Sequence, residues 1–134
     1  MTGADIIKNI LEESKIVAVV GLSPREERDS HRVAKYLQSQ GYRIIPVNPN
    51  AEEVLGERSY PDLASVPEPI DIVDVFRRSE AVPGIVEEAI KVGARTVWMQ
   101  QGVIHEEAAA RAREAGLQVV MDRCIMIEHR RYFG

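Results

Sequence analysis

Cysteine is nearly absent from this 134-residue chain. Its one thiol, Cys124, excludes an internal disulfide framework and fits a reducing compartment. Histidine is sparse too. His31, His105 and His129 show no metal-ligand spacing, so no metal site is expected. An excess of positive charge is also missing: 17 Lys and Arg face 21 Asp and Glu, a formal charge of -4. A mildly acidic chain suits neither nucleic acid nor an anionic membrane surface. Long apolar runs are lacking as well. Stretches such as Ile16–Val20 fall far short of the roughly 20 residues a bilayer demands. The N-terminal stretch carries Asp5, Lys8, Glu12 and Glu13, which breaks up any signal-peptide core. The expected location is the cytoplasm.

What is present is enough apolar material for a core. Hydrophobic residues make up 45% and charged residues 28%, which disfavours disorder. The length is that of one domain, and residues 1–134 are expected to form one. No repeat or low-complexity tract interrupts it.

Two local patterns alternate. Short β-branched runs at residues 16–20, 43–47, 70–76, 96–99 and 117–121 read as strands, most of them buried on both faces. Amphipathic stretches at 5–14, 30–40, 80–92 and 106–115 read as helices, three of them followed at once by Gly41, Gly93 or Gly116. A single helical turn is expected within 59–66. Regular alternation of this kind predicts a doubly wound, mainly parallel five-stranded sheet in an α/β/α sandwich, a Rossmann-like fold. Ligands of such sheets sit outside the C-terminal strand edge. Function is therefore sought in the residues that follow each strand.

After the first strand, Gly21 permits a sharp turn and close approach of an anion. Ser23 offers a hydroxyl, and amides near Ser30 and His31 open the next helix. The loop predicts a phosphate cradle. Its competing reading is an ordinary connection with Ser30 as N-cap. The three-glycine dinucleotide fingerprint is not there. The second strand ends in Asn48-Pro49 rather than in the acid that holds the NAD ribose, which argues against NAD and permits a phosphorylated ribose. Arg77 and Arg78 suit phosphate oxygens. Phe76 can flank an apolar arm, and Gln100-Gln101-Gly102 can hydrogen-bond an amide or hydroxyl. Trp98 and Met99 read more simply as core, and Cys124 as structural. No nucleophile–base pair or paired carboxylate stands out, so no catalytic residue is expected.

The ordered set Val17–Ser23, Val47-Asn48-Pro49, Asp74-Val75-Phe76-Arg77, Met99–Gly102 and Met121-Asp122-Arg123-Cys124 resembles the small bacterial and archaeal CoA-binding proteins. These are single-domain relatives of the N-terminal domain of the succinyl-CoA synthetase alpha subunit. The resemblance covers about residues 10–130 and implies coenzyme A, or an acyl-CoA, along the C-terminal strand edge. It places the ADP phosphates at the first loop, here Ser23, Pro24, Arg25 and Glu26, with Gly21 and Leu22 as further candidate cofactor-binding residues. Asn48 and Pro49 would border the adenosine. Val75, Phe76, Arg77, Met99, Gln100 and Gln101 would line the cofactor. The chain departs from the synthetase in two respects. Asn48-Pro49-Asn50-Ala51 replaces a lysine after the second strand, and the domain bearing the phosphorylated histidine is not part of this sequence, so ligase activity is not implied. The expectation is CoA binding without chemistry of its own, with a small-molecule ligand and either a protein partner or self-association. The alternatives are an NAD(P)- or nucleotide-dependent enzyme, or a detached subunit of a ligase-like complex.

Overall fold

The computed structural model describes residues 3–134. Seven strands and five helices follow in chain order. They are α1 (Gly3–Glu13), β1 (Ile16–Val20), α2 (Asp29–Ser39), β2 (Arg43–Val47), β3 (Glu53–Val54), β4 (Glu57–Arg58), β5 (Ile72–Val75), α3 (Val82–Lys91), β6 (Thr96–Met99), α4 (Glu106–Glu114), β7 (Gln118–Val120) and α5 (Ile125–Phe133). Five strands make one parallel sheet in the order β2-β1-β5-β6-β7. The expected fold class is borne out. The expected turn within 59–66 is the 3-10 turn Leu63–Ser65, closed by Asp62, whose carboxylate accepts from the Ser65 amide.

Sequence alternation along the strands sorts side chains onto two faces. Ala18, Val20, Val73, Val75, Val97 and Met99 pack with α3 and α4. Val17, Val19, Ile72 and Trp98 pack with α1, α2 and α5. Asp74 alternates with Val73 and Val75 and lies in register with Val19 and Trp98, so it belongs to the second face. Pro46 fits an edge strand because its missing N–H faces away from β1. On that outer side its carbonyl accepts from the Tyr60 amide at 3.0 Å.

Two elements differ from the sequence expectation. Residues 53–58 form a two-stranded antiparallel hairpin, and residues 125–133 form α5. In addition, α2 starts from Arg28 with no side-chain cap. Ser30 therefore lies inside the helix and is not its N-cap.

The topology sets the site. From β1 the chain crosses to β2 on one side. After the hairpin it returns to β5 on the other side of β1. The C-terminal ends of β1 and β5 are thus the switch point, where a crevice opens.

Candidate functional site

Gly21 and Phe76 end the two switch-point strands. Gly21 has φ +90°, and a Cβ there would run into the Phe76 carbonyl oxygen and the Arg77 stem. Only glycine lets the two loops meet this closely. Gly21 donates to the Val47 carbonyl at 2.9 Å, and Phe76 donates to that of Val20 at 2.9 Å.

The loop after Gly21 is held by its own polar side chains. The Ser23 amide donates to Ser30 Oγ at 3.0 Å. His31 Nδ1 lies 3.1 Å from the Ser23 carbonyl. A carbonyl only accepts, so Nδ1 carries the proton. The Arg25 amide donates to Ser23 Oγ at 3.1 Å. Ser30 and His31 are buried, so both shape the cradle from behind. Asn48 works the same way: its Nδ2 donates to the Leu22 carbonyl at 3.0 Å, and its Oδ1 accepts from the Asn50 amide at 2.9 Å.

Two adjoining hollows open over this edge. One, about 490 Å³, is lined by Gly21, Ser23, Arg25, Glu27, Arg28, Asp29, Ser30 and Phe76. The other, about 560 Å³, is lined by Asp29, Arg32, Val33, Phe76, Arg77, Arg78, Gln100, Gln101, Val103, Cys124, Met126 and Ile127. Asp29 and Phe76 border both, so the hollows form one cleft with Phe76 at its waist. The first lobe is polar and includes the uncapped start of α2, where amides lack intrahelical acceptors. The second adds apolar side chains from α2, α5 and the loop after β6. Among the described residues, the guanidinium groups of Arg25, Arg28, Arg77 and Arg78 make no ion pair. They leave positive charge on the rim of an acidic protein.

The structure thus brings Gly21, Ser23, Arg25, Ser30, Phe76, Arg77, Gln100 and Gln101 to the cleft. Other residues singled out in the sequence lie elsewhere. Leu22, Val75 and Met99 are fully buried, so only their backbone is near the strand edge. Pro24, Pro49 and Gly102 are exposed beyond the lining. Gly102 donates to Asp122 Oδ1 at 2.7 Å, which ties the loops after β6 and β7. The Arg123 amide reaches the Met99 carbonyl at 3.2 Å, and the Arg123 carbonyl accepts from Trp98 Nε1 at 2.8 Å. These bonds fix Cys124, half-buried at the cleft wall.

Asp74 was missed as a site residue. It is fully buried and its Oδ1 accepts from Gln100 Nε2 at 2.5 Å. Its Oδ2 has no partner. Burial pushes its carboxyl up to about 7, against the opposing pull of the Gln100 bond. The signal in the sequence was a carboxylate between two valines of an otherwise apolar strand.

An open parallel sheet with its cleft at the switch point is the Rossmann-like arrangement, and solved structures share it. A hypothetical protein from Pyrococcus horikoshii OT3 superposes with a TM-score of 0.96 at 44% identity, over 99% of this chain and 94% of that one. The chain belongs to the CoA binding domain family, which it matches over residues 15–130. YneT of Bacillus subtilis (strain 168) is 50% identical over 92% of this chain and 91% of its own length. The ADP-forming acetate–CoA ligase I of Archaeoglobus fulgidus is 27% identical over 83% of this chain, and the match spans only 18% of the ligase. No helix among the described residues is long and apolar enough to cross a membrane.

Proposed function

We propose that the protein binds coenzyme A or an acyl-CoA in the cleft between β1 and β5. One observation carries the reading: a switch-point cleft has a tight, glycine-dependent, uncapped helix start on one side and an apolar wall on the other. CoA pairs a multiply anionic adenosine end with a long, weakly polar arm. The pyrophosphate would meet the free amides at the start of α2, over the turn that Ser23, Pro24 and Arg25 make, with Gly21 keeping the floor open. Arg25, Arg28 and Arg77 would carry charge to the phosphates. The arm would pass Phe76 toward Gln100 and Gln101. Asn48 would act by holding Leu22, with Pro49 bordering the adenosine. Family membership and the ligase relatives support this ligand, and binding without chemistry needs nothing more than these residues. We take the ligand as the main partner and the cytoplasm as the place.

Calorimetric titration with CoA and 3′-dephospho-CoA is the test. Binding of CoA, weaker binding of the dephospho form and little response to NADH are expected. Absence of heat from CoA at concentrations on the order of 1 mM would overturn the reading.

A further inference from the structure

The Asp74–Gln100 pair lies where the core meets the cleft, and its geometry is unusual for a packed interior. A fully buried carboxyl has one hydrogen-bond partner, Gln100, and one oxygen with none. Buried orphan oxygens are rare because each forfeits its hydration without a compensating hydrogen bond. Gln100 is itself part of the cleft wall. Its Nε2 is committed to Asp74, while its Oε1 takes no hydrogen bond among the described residues.

Resting on the proposed CoA cleft, we infer that Asp74 and Gln100 form a proton-operated switch that decides whether the cleft offers its ligand a hydrogen-bond acceptor or a donor. With Asp74 ionised, its carboxylate only accepts, so Gln100 must point Nε2 inward and leave Oε1 for the cleft. When Asp74 takes a proton from solvent, the carboxyl gains an O–H. Turning the Gln100 amide over lets that O–H donate to Oε1 and swings the NH₂ toward the ligand. No covalent bond other than the O–H forms or breaks, and the oxygen left without a partner then belongs to a neutral carboxyl rather than to a carboxylate. The position of the carboxyl, near 7 through burial, puts both states within reach at neutral pH.

The surroundings leave the pair to itself. β1 and β6, on either side, hold no titratable residue. α1 buries only Ile7, Ile10 and Leu11. From α2, His31 faces inward but is engaged by the Ser23 carbonyl. From α5, Glu128 pairs with Arg123 and Arg131 at 3.8 and 3.6 Å, and His129 is engaged by the Tyr36 hydroxyl. Cys124 stands at the start of that helix. None of these is a cause of the Asp74 shift.

An anionic ligand that also dries the cleft favours the protonated carboxyl, so CoA binding should take up protons. Titrations in buffers of different ionisation enthalpy count them. The phosphates of CoA titrate in the same range, about pH 6, so the reading is the difference between wild type and D74N. Wild-type affinity is expected to weaken about three- to tenfold more than that of D74N between about pH 6 and about pH 8. Wild type should also take up a fraction of a proton that D74N does not. Equal proton uptake by the two proteins overturns the switch. Carbon-13 NMR titration of the ligand-free wild type tests it without CoA or a variant. The Asp74 carboxyl and the Gln100 side-chain amide should shift together near neutrality. A carboxyl titrating in the ordinary range of Asp, or an amide that stays still, overturns the switch even where CoA binds. Failure of CoA to bind at any pH overturns the proposed function instead.

Discussion

The two faces of the sheet are built to different standards. Under α3 and α4 the core is aliphatic side chains and methionine throughout. Under α1, α2 and α5 the packing is as tight, yet this side holds the buried titratable groups His31, Asp74, Glu128 and His129. Two buried oxygens that accept no hydrogen bond among the described residues are here as well: Asp74 Oδ2, and Glu128 Oε1, which faces Arg123 and Arg131 only at ion-pair distance. The second lobe of the cleft is walled by α2 and α5. One face therefore contributes stability with little specificity, and the other gives up some stability to place polar groups behind a site. Buried polar atoms cost free energy unless satisfied, so their segregation to the face behind the cleft calls for a functional explanation.

The largest effect that tests this contrast lies on the apolar face. Met99 has no exposed surface and packs among Val75, Val97 and the α3 helix. Met99→Ala should cost about 2–5 kcal/mol through lost burial and the cavity left behind. Denaturant unfolding measures it. CoA affinity of the folded fraction should be unchanged, because the side chain points away from the cleft. An intact midpoint with weakened CoA binding would show that Met99 is a ligand contact after all, and the division between the faces would fail.

Ser30 tests the other face with a smaller change. Removing Oγ strands the Ser23 amide, at a cost of about 1–2 kcal/mol. Here binding should suffer along with stability, since the same bond sets the loop that would meet phosphate. Ser30→Ala that lowers the midpoint and leaves CoA affinity intact would make the loop a bystander. Ser30→Thr keeps the acceptor and should restore both.

The pattern of β-branched runs and amphipathic stretches was enough to read the five sheet strands, four helices and the strand edge where function gathers. Alternation and periodicity are local properties, and the parallel crossover rule turns them into a topology class. What escaped was non-local or locally disguised. The order β2-β1-β5-β6-β7 depends on which strands meet, and no local pattern records it. The hairpin turns at Leu55 and Gly56, both at positive φ. Leucine at such a position hides the Asn-Gly or Asp-Gly signal that normally marks a two-residue turn. α5 begins at Cys124 without a side-chain cap, so the usual start signal was missing. Its loss from the reading also hid Met126 and Ile127 as cleft walls. Ser30, His31 and Asn48 were legible as site residues. Their work, holding the loop from behind, became visible only with their partners in place.

His129 gives the finest discrimination. It is buried against Tyr36, Tyr42 and Phe133, and burial holds its imidazole below the usual range. The folded state thus binds its proton less readily than the unfolded chain. Stability from this group is complete above the ordinary imidazole pKa and is lost as pH falls through that value and the lowered folded one. Asp74 has the opposite sign: its carboxyl is raised to about 7, so its contribution is complete in acid and is lost as pH rises toward that value. The two groups share one face and should pull the unfolding midpoint in opposite directions on the acid side of about pH 7, while the buried α3–α4 face contributes no slope. Thermal unfolding of His129→Gln should lose the His129 contribution and leave a steeper fall of the midpoint as pH rises toward about 7, and D74N should lose that fall and leave only the loss of stability on acidification. Parallel pH profiles for wild type and both variants would place the pH response outside this face and remove the distinction between the two halves of the core.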